Sequence, residues 1–383
     1  MLLTGTGRLA PGPRSPWALR IVDGRITWIG DPSEAGDDDR IDLGSALVTP
    51  GLVDSHTHPI FAGDRSDEAA ARLEGAAYTE GGILRTMRAT RAADDAVLEG
   101  LVESRLRAAL AAGTTTVECK SGYGLSQAEE LRHLRILRRV ADRTPVQVVA
   151  TFLGAHAVPA GATAADHAAQ VADEMVPAVA AEGLADFVDV FADAGFFDLD
   201  AVARVGRAAD AAGLGLRLHA EQLERTGAAE LGVRLGAASV DHLEQLDAAG
   251  VTALAGASTV ATLLPAPAIV LRDRLPPARA LLDAGATVAL ASDANAGTHG
   301  GFGSMPLVIG LGATLLGMSV TEALSAATAG GGSALRLAPL GRLDVGAPAD
   351  LVAWDAEHEG AFALNLGAVR PHRIWIGGVE VTP

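Results

Sequence analysis

Short runs in which apolar and polar residues alternate open the chain and close it, and the middle has a different rhythm. Trp17–Val22 and Arg25–Ile29 flank Asp23-Gly24, and Arg373–Ile376 and Val379–Val381 flank Gly377-Gly378. Such pairs between alternating runs predict two-residue hairpins. Asp350–Trp354 adds a further strand near the C-terminus. Neither end is long enough to bury a core alone. The pattern therefore predicts one small β-sandwich built from residues 1–46 together with 340–383. Between 47 and 339, apolar strand-like runs alternate with Ala/Leu/Arg stretches of helical period, the mark of repeated βα units. Eight such runs stand out: 46–54, 114–119, 146–152, 187–191, 215–219, 239–242, 259–264 and 287–293. Helical stretches such as 98–111, 127–141 and 200–212 separate them. The expected fold class is α/β, a (β/α)8 TIM-type barrel with its active site at the C-terminal strand ends.

Charge narrows the range of partners. The 383 residues carry 30 basic and 47 acidic side chains, a formal net charge of -17. So acidic a surface suits neither nucleic acid nor an anionic membrane, which leaves a small molecule as the expected partner. Aromatic residues make up only 4%, too few for an extended base-stacking surface. The single Cys119 excludes a disulfide framework and a Cys-based zinc finger. No apolar run of about 18 residues predicts a membrane span, and the first 20 residues lack the pattern of a signal peptide. A cytoplasmic location is the expectation, and homodimer formation is left open.

The chemistry lies in the polar residues at the strand ends. Asp54-Ser-His-Thr-His58 closes the first strand and puts His56 and His58 on one face, since side chains two apart in a strand share a face. His156 follows the third strand, His219 ends the fifth, His242 the sixth and Asp293 the eighth. Titratable groups at mouth after mouth are hard to reconcile with core packing. They suit a catalytic metal with open positions for water and substrate. The fourth strand, Phe187-Val-Asp-Val-Phe-Ala-Asp193, ends without Lys or Glu, which favours one metal over two. Lys120 is the one Lys among 30 basic residues; its position implies a role that a planar guanidinium cannot fill. The loop Ser121-Gly-Tyr-Gly124 beside it offers the Tyr123 hydroxyl. His133, His167, His358 and His372 read as packing or surface residues, and His299 borders the site.

Thr49-Pro-Gly-Leu-Val-Asp-Ser-His-Thr-His58, with β segments at both ends of the chain, resembles the amidohydrolase superfamily. Further motifs carry a closer likeness to its imidazolonepropionase family, of histidine degradation. They are His58–Arg65, Arg88–Ala92, Glu118–Leu125, Phe152–Pro159, His219–Leu223, Val240–Leu243 and Ala261–Pro265. The resemblance implies hydrolytic opening of 4-imidazolone-5-propanoate to N-formimidoyl-L-glutamate. It implies one Zn²⁺ or Fe ion held by His56, His58, His219 and Asp293. Arg65 would then grip the propionate carboxylate as a fork, with Tyr123, His156, Gln222, Asn295, Gly297 and Thr298 completing the substrate pocket. Asp293 and His242 would be catalytic, His242 beside the scissile carbonyl. Two departures stand out: Gln222 replaces a Glu found in some members, and the loop from Tyr78 to the Gly81-Gly-Ile83 motif is shorter than usual. A nucleobase-type deaminase, with Glu221 as base after a register shift, is the rival enzyme. An inactive barrel serving as a binding protein is the other alternative.

Overall fold

A computed structural model describes residues 1–10, 16–36, 39–75 and 81–382; the shortened segment Tyr78–Glu80 lies outside them. The N-terminal strands β1 (Leu2–Gly5), β2 (Trp17–Val22), β3 (Arg25–Gly30) and β4 (Arg40–Asp42) form one sheet in the order β3-β2-β1-β4. Asp23 and Gly24 both take positive φ, 49° and 75°, the left-handed pair that a tight hairpin demands. β5 (Leu47–Pro50) follows, and then the barrel. Its strands are β6 (Leu52–Asp54), β7 (Thr114–Lys120), β8 (Gln147–Ala155), β9 (Phe187–Ala192), β10 (Gly215–Ala220), β11 (Ser239–His242), β12 (Val260–Leu263) and β13 (Val288–Leu290). They lie side by side in chain order, every pairing parallel. The ring closes beyond the strand ends, where Asp293 N–H donates to His56 O at 3.0 Å and His58 N–H to Ala294 O at 2.9 Å. β14 (Leu351–Trp354), β15 (Pro371–Ile376) and β16 (Val379–Val381) complete the chain.

The first predicted barrel strand is in fact two. Leu47–Pro50 pairs antiparallel with β14 in the second small sheet, ordered β16-β15-β14-β5, and only Leu52–Asp54 enters the barrel. Gly51 stands at the break, where a Cβ would sit 2.1 Å from Thr115 Oγ1, so glycine lets the chain pass close against β7. The two chain ends meet as facing sheets, each built largely from its own end, and share a core of Trp17, Leu19, Val48, Leu351 and Trp375. Trp17 and Trp375 are fully buried; burial of an indole contributes roughly 4–6 kcal/mol of gross stabilisation. Trp354 instead packs with the barrel core, which ties the second sheet to the barrel, and its Nε1 donates to Thr49 Oγ1 of the neighbouring strand β5 at 2.8 Å.

Within the barrel the two-residue period decides what faces where. Val117, Cys119, Val188, Val190, Leu216, Leu218 and Val240 join the apolar layer beneath the helices. Their neighbours Glu118, Lys120, Asp189, Arg217, His219 and Asp241 are thereby turned inward and buried. No helix among the described residues is long and apolar enough to cross a membrane.

Candidate metal centre and active site

His56 and His58 stand just past the end of β6, and β10 and the turn after β13 bring His219 and Asp293 to the same mouth. His58 Nε2 lies 3.4 Å from His219 Nε2 and 3.4 Å from Asp293 Oδ1, which is 3.7 Å from His56 Nε2. The proton positions follow from the opposite edges of the rings. His56 Nδ1 donates to Asp241 Oδ2 at 2.7 Å, and His219 Nδ1 to Asp189 Oδ1 at 3.1 Å. Each of these two rings therefore presents a bare Nε2 lone pair to the centre, where His56 Nε2 has no hydrogen-bond partner. Burial pushes the His56 and His58 pKa values well below the ordinary imidazole value, with neighbouring cationic groups adding to the effect. Neutral rings facing a carboxylate, all buried, fit a divalent cation. Among the described residues, His56, His58 and Asp293 meet the spacing of a metal set, and so do His56, His219 and His242.

The other predicted site residues surround this centre. One cavity is lined by His58, Arg65, Tyr123, His156, Gln222, His242, Asp293, Asn295 and Thr298, together with His219, Ile83 and Phe191. Gly297 faces the adjoining outer cavity, which Arg65, Asn295 and Thr298 also line. Tyr123 sits on a loop anchored by Glu130, whose carboxylate accepts the backbone N–H groups of Gly122, Gly124 and Leu125. His156 stacks on His58 with ring centroids 5.2 Å apart and donates from Nδ1 to Gly122 O at 2.8 Å. Asp193 holds the Gln222 loop by accepting the N–H groups of Gln222, Leu223 and Glu224. Asn295 is a loop organiser: its Oδ1 accepts from Gly297 N and Thr298 N, and its Nδ2 donates to Asp293 O and Thr298 Oγ1.

Two electrostatic features bear on chemistry. Burial raises the Asp293 pKa above the usual carboxylate value, although His242 and His219 oppose it. Burial also works against a charged His242, but Glu244, 3.6 Å from its Nδ1, together with Asp293 and Asp241 raises its pKa overall. His242 and Leu243 both take positive φ, 82° and 72°, an uncommon conformation that holds the ring over the centre.

The structure adds to three readings of the sequence. Lys120 does not line the pocket; it is fully buried inside the barrel, donating to Glu118 Oε1 at 2.8 Å and Asp189 Oδ2 at 2.7 Å. The Arg65 fork is engaged by Glu68, with Nε to Oε2 at 2.8 Å and Nη2 to Oε1 at 2.6 Å. Glu221 does not line the cavity, and its carboxylate accepts the N–H groups of Thr226, Gly227 and Ala229, which disfavours the deaminase reading. Sequence reading passed over Asp189, Arg217 and Asp241, although a charge inside an apolar strand, as in Phe187-Val-Asp-Val-Phe191, was the signal to follow.

Residues 47–381 match the amidohydrolase family, and the chain belongs to that family. It is 48% identical over 344 residues to the imidazolonepropionase of Ectopseudomonas mendocina, covering 87% of this chain and 84% of that one. The imidazolonepropionase of Salinispora arenicola is 48% identical over 382 residues, covering 98% and 95%. Within the amidohydrolases, then, the chain stands with the imidazolonepropionases. Among solved structures, a 5-methylcytosine deaminase from Klebsiella pneumoniae superposes with a TM-score of 0.81 at 17% identity, covering 100% of this chain and 97% of that one. That likeness concerns the fold.

Proposed function

We propose that the chain hydrolyses the ring amide of 4-imidazolone-5-propanoate to N-formimidoyl-L-glutamate, with one Zn²⁺ or Fe ion held by His56, His58, His219 and Asp293. The observation that carries this reading is the clustering of His56 Nε2, His58 Nε2, His219 Nε2 and Asp293 Oδ1 beside a cavity that His58, His219, Asp293 and Arg65 line. Such an ion, when bound, lowers the pKa of its water toward about 7 and polarises a carbonyl.

The chain's own groups supply the rest. Asp293 takes the proton of the attacking water and returns it to the ring nitrogen as the C–N bond breaks. His242, held over the centre, donates a hydrogen bond to the oxyanion that forms at the former carbonyl; one such donor is worth roughly 2.7–4 kcal/mol. Arg65 binds the propionate carboxylate, exchanging Glu68 for substrate. Tyr123, His156 and Gln222 contact the ring and its substituents, and the Asn295–Thr298 loop shapes the wall beside Arg65.

The test is an ultraviolet assay of freshly made 4-imidazolone-5-propanoate with metal content measured in parallel. Loss of the imidazolone absorbance at about one ion per chain is expected. A fully metallated protein that leaves the absorbance unchanged would overturn the substrate assignment.

A further inference from the structure

Beneath the four proposed ligands lies a layer of buried charge that the hydrolytic steps do not use. Lys120 bridges Glu118 and Asp189, while Arg217 Nη2 donates to Asp241 Oδ2 at 3.0 Å and to Ser55 O at 2.6 Å. All five side chains are fully buried. Each contact then leads on to a ligand. Asp189 fixes the His219 ring and Asp241 the His56 ring. Glu118 Oε2 accepts Thr57 N–H at 3.1 Å, while Thr57 Oγ1 donates to the Glu118 carbonyl at 2.7 Å. Lys120 N–H itself donates to Thr57 O at 3.0 Å. The peptide between His56 and His58 is thus clamped by the strand that carries Lys120.

We infer that Lys120 is a positioning residue for the metal centre, joining the carboxylate that orients His219 to the one that clamps the His56-Thr57-His58 turn. This rests on the reading that those histidines hold a metal. The role also accounts for Lys where the chain otherwise uses Arg. A compact ammonium reaches two carboxylates from different strands in this closed space, whereas a planar guanidinium brings five donors in a rigid fork. Without Lys120, Glu118 and Asp189 lose their shared cation, and the geometry of both ligand pairs relaxes.

The experiment compares wild-type, Lys120→Met and Lys120→Arg proteins, stripped of metal and titrated with Zn²⁺ against a chromophoric chelator. The visible bands of the Co²⁺-loaded forms are recorded beside them. Both variants should bind Zn²⁺ at least about tenfold more weakly, in the range of outer-shell changes at metal sites, and should show shifted Co²⁺ bands. A general loss of stability would not move those bands. Unpairing buried carboxylates can prevent folding, so the isosteric Glu118→Gln variant, in which Lys120 loses one carboxylate while the Asp189–His219 hydrogen bond is untouched, is measured as well. It should show the same loss and shift. A folded variant with Zn²⁺ affinity within about twofold of wild type and unchanged Co²⁺ bands overturns the positioning role. A wild-type protein that takes up no ion overturns the metal reading itself, and the positioning role with it.

Discussion

Replacing Arg65 with Ala should weaken turnover of the propionate substrate selectively, and the structure sets the size of the effect. Arg65 is only 5% exposed and already holds a carboxylate, that of Glu68, through two hydrogen bonds of 2.8 and 2.6 Å. Substrate therefore exchanges one carboxylate for another instead of meeting a bare cation. Hydrogen bonds to charged groups contribute about 1.5–3 kcal/mol each. Because one ion pair must be given up, the net gain is taken as about one such bond. That corresponds to a fall in kcat/KM of about 10- to 150-fold. Glu68 does not become an isolated charge in the variant, since Arg72 Nη1 donates to its Oε1 at 2.7 Å. The assay follows the ultraviolet decay of 4-imidazolone-5-propanoate beside that of an analogue lacking the carboxylate. The analogue should lose less than about threefold on the same substitution. Equal losses for both compounds would show that Arg65 does not read the carboxylate and that its damage is structural.

Three other outcomes are expected. His242→Ala should lower kcat by about 10²–10³ through loss of the oxyanion donor while metal content stays at the wild-type value; measurement of both on one preparation checks this. Gly297→Ala should raise KM with little change in kcat, because the new Cβ would lie 2.3 Å from the Arg65 guanidinium, which Glu68 keeps from swinging aside; steady-state kinetics decide it. Asp54 ionises near 3.8 when unfolded, and burial raises it to about 7 in the fold, against the opposing hydrogen bonds of Ser292. Between those values the folded state holds a proton that the unfolded state has lost, so this group's contribution to stability falls as pH rises. The stability difference between wild type and Asp54→Asn should therefore change in that direction between pH 4 and pH 7, and denaturant midpoints that track in parallel would refute it.

Much of the architecture is local in origin. Each of the eight strand-like runs contains a barrel strand, because apolar β runs between helical stretches bury both faces in a parallel sheet covered by helices. Asp23-Gly24 turns as expected because its backbone conformation is set by those two residues. The His56–His58 pair was visible for the same reason: two residues apart in extended chain means one face. Leu47–Pro50 was misplaced because its apolar pattern suits a barrel strand and a sandwich strand equally. Only the partner strand β14, some 300 residues away, decides between them.

By itself the sequence determined the number and order of the βα units, the family, and the chelating residue types at the strand mouths. Tertiary structure alone decided what holds those residues in place. His56 and Asp241 are 185 positions apart and Lys120 and Asp189 are 69 apart, so no local period relates them. They meet because barrel closure turns alternate residues of every strand into one narrow interior, where a buried charge persists only if another strand supplies its counterpart.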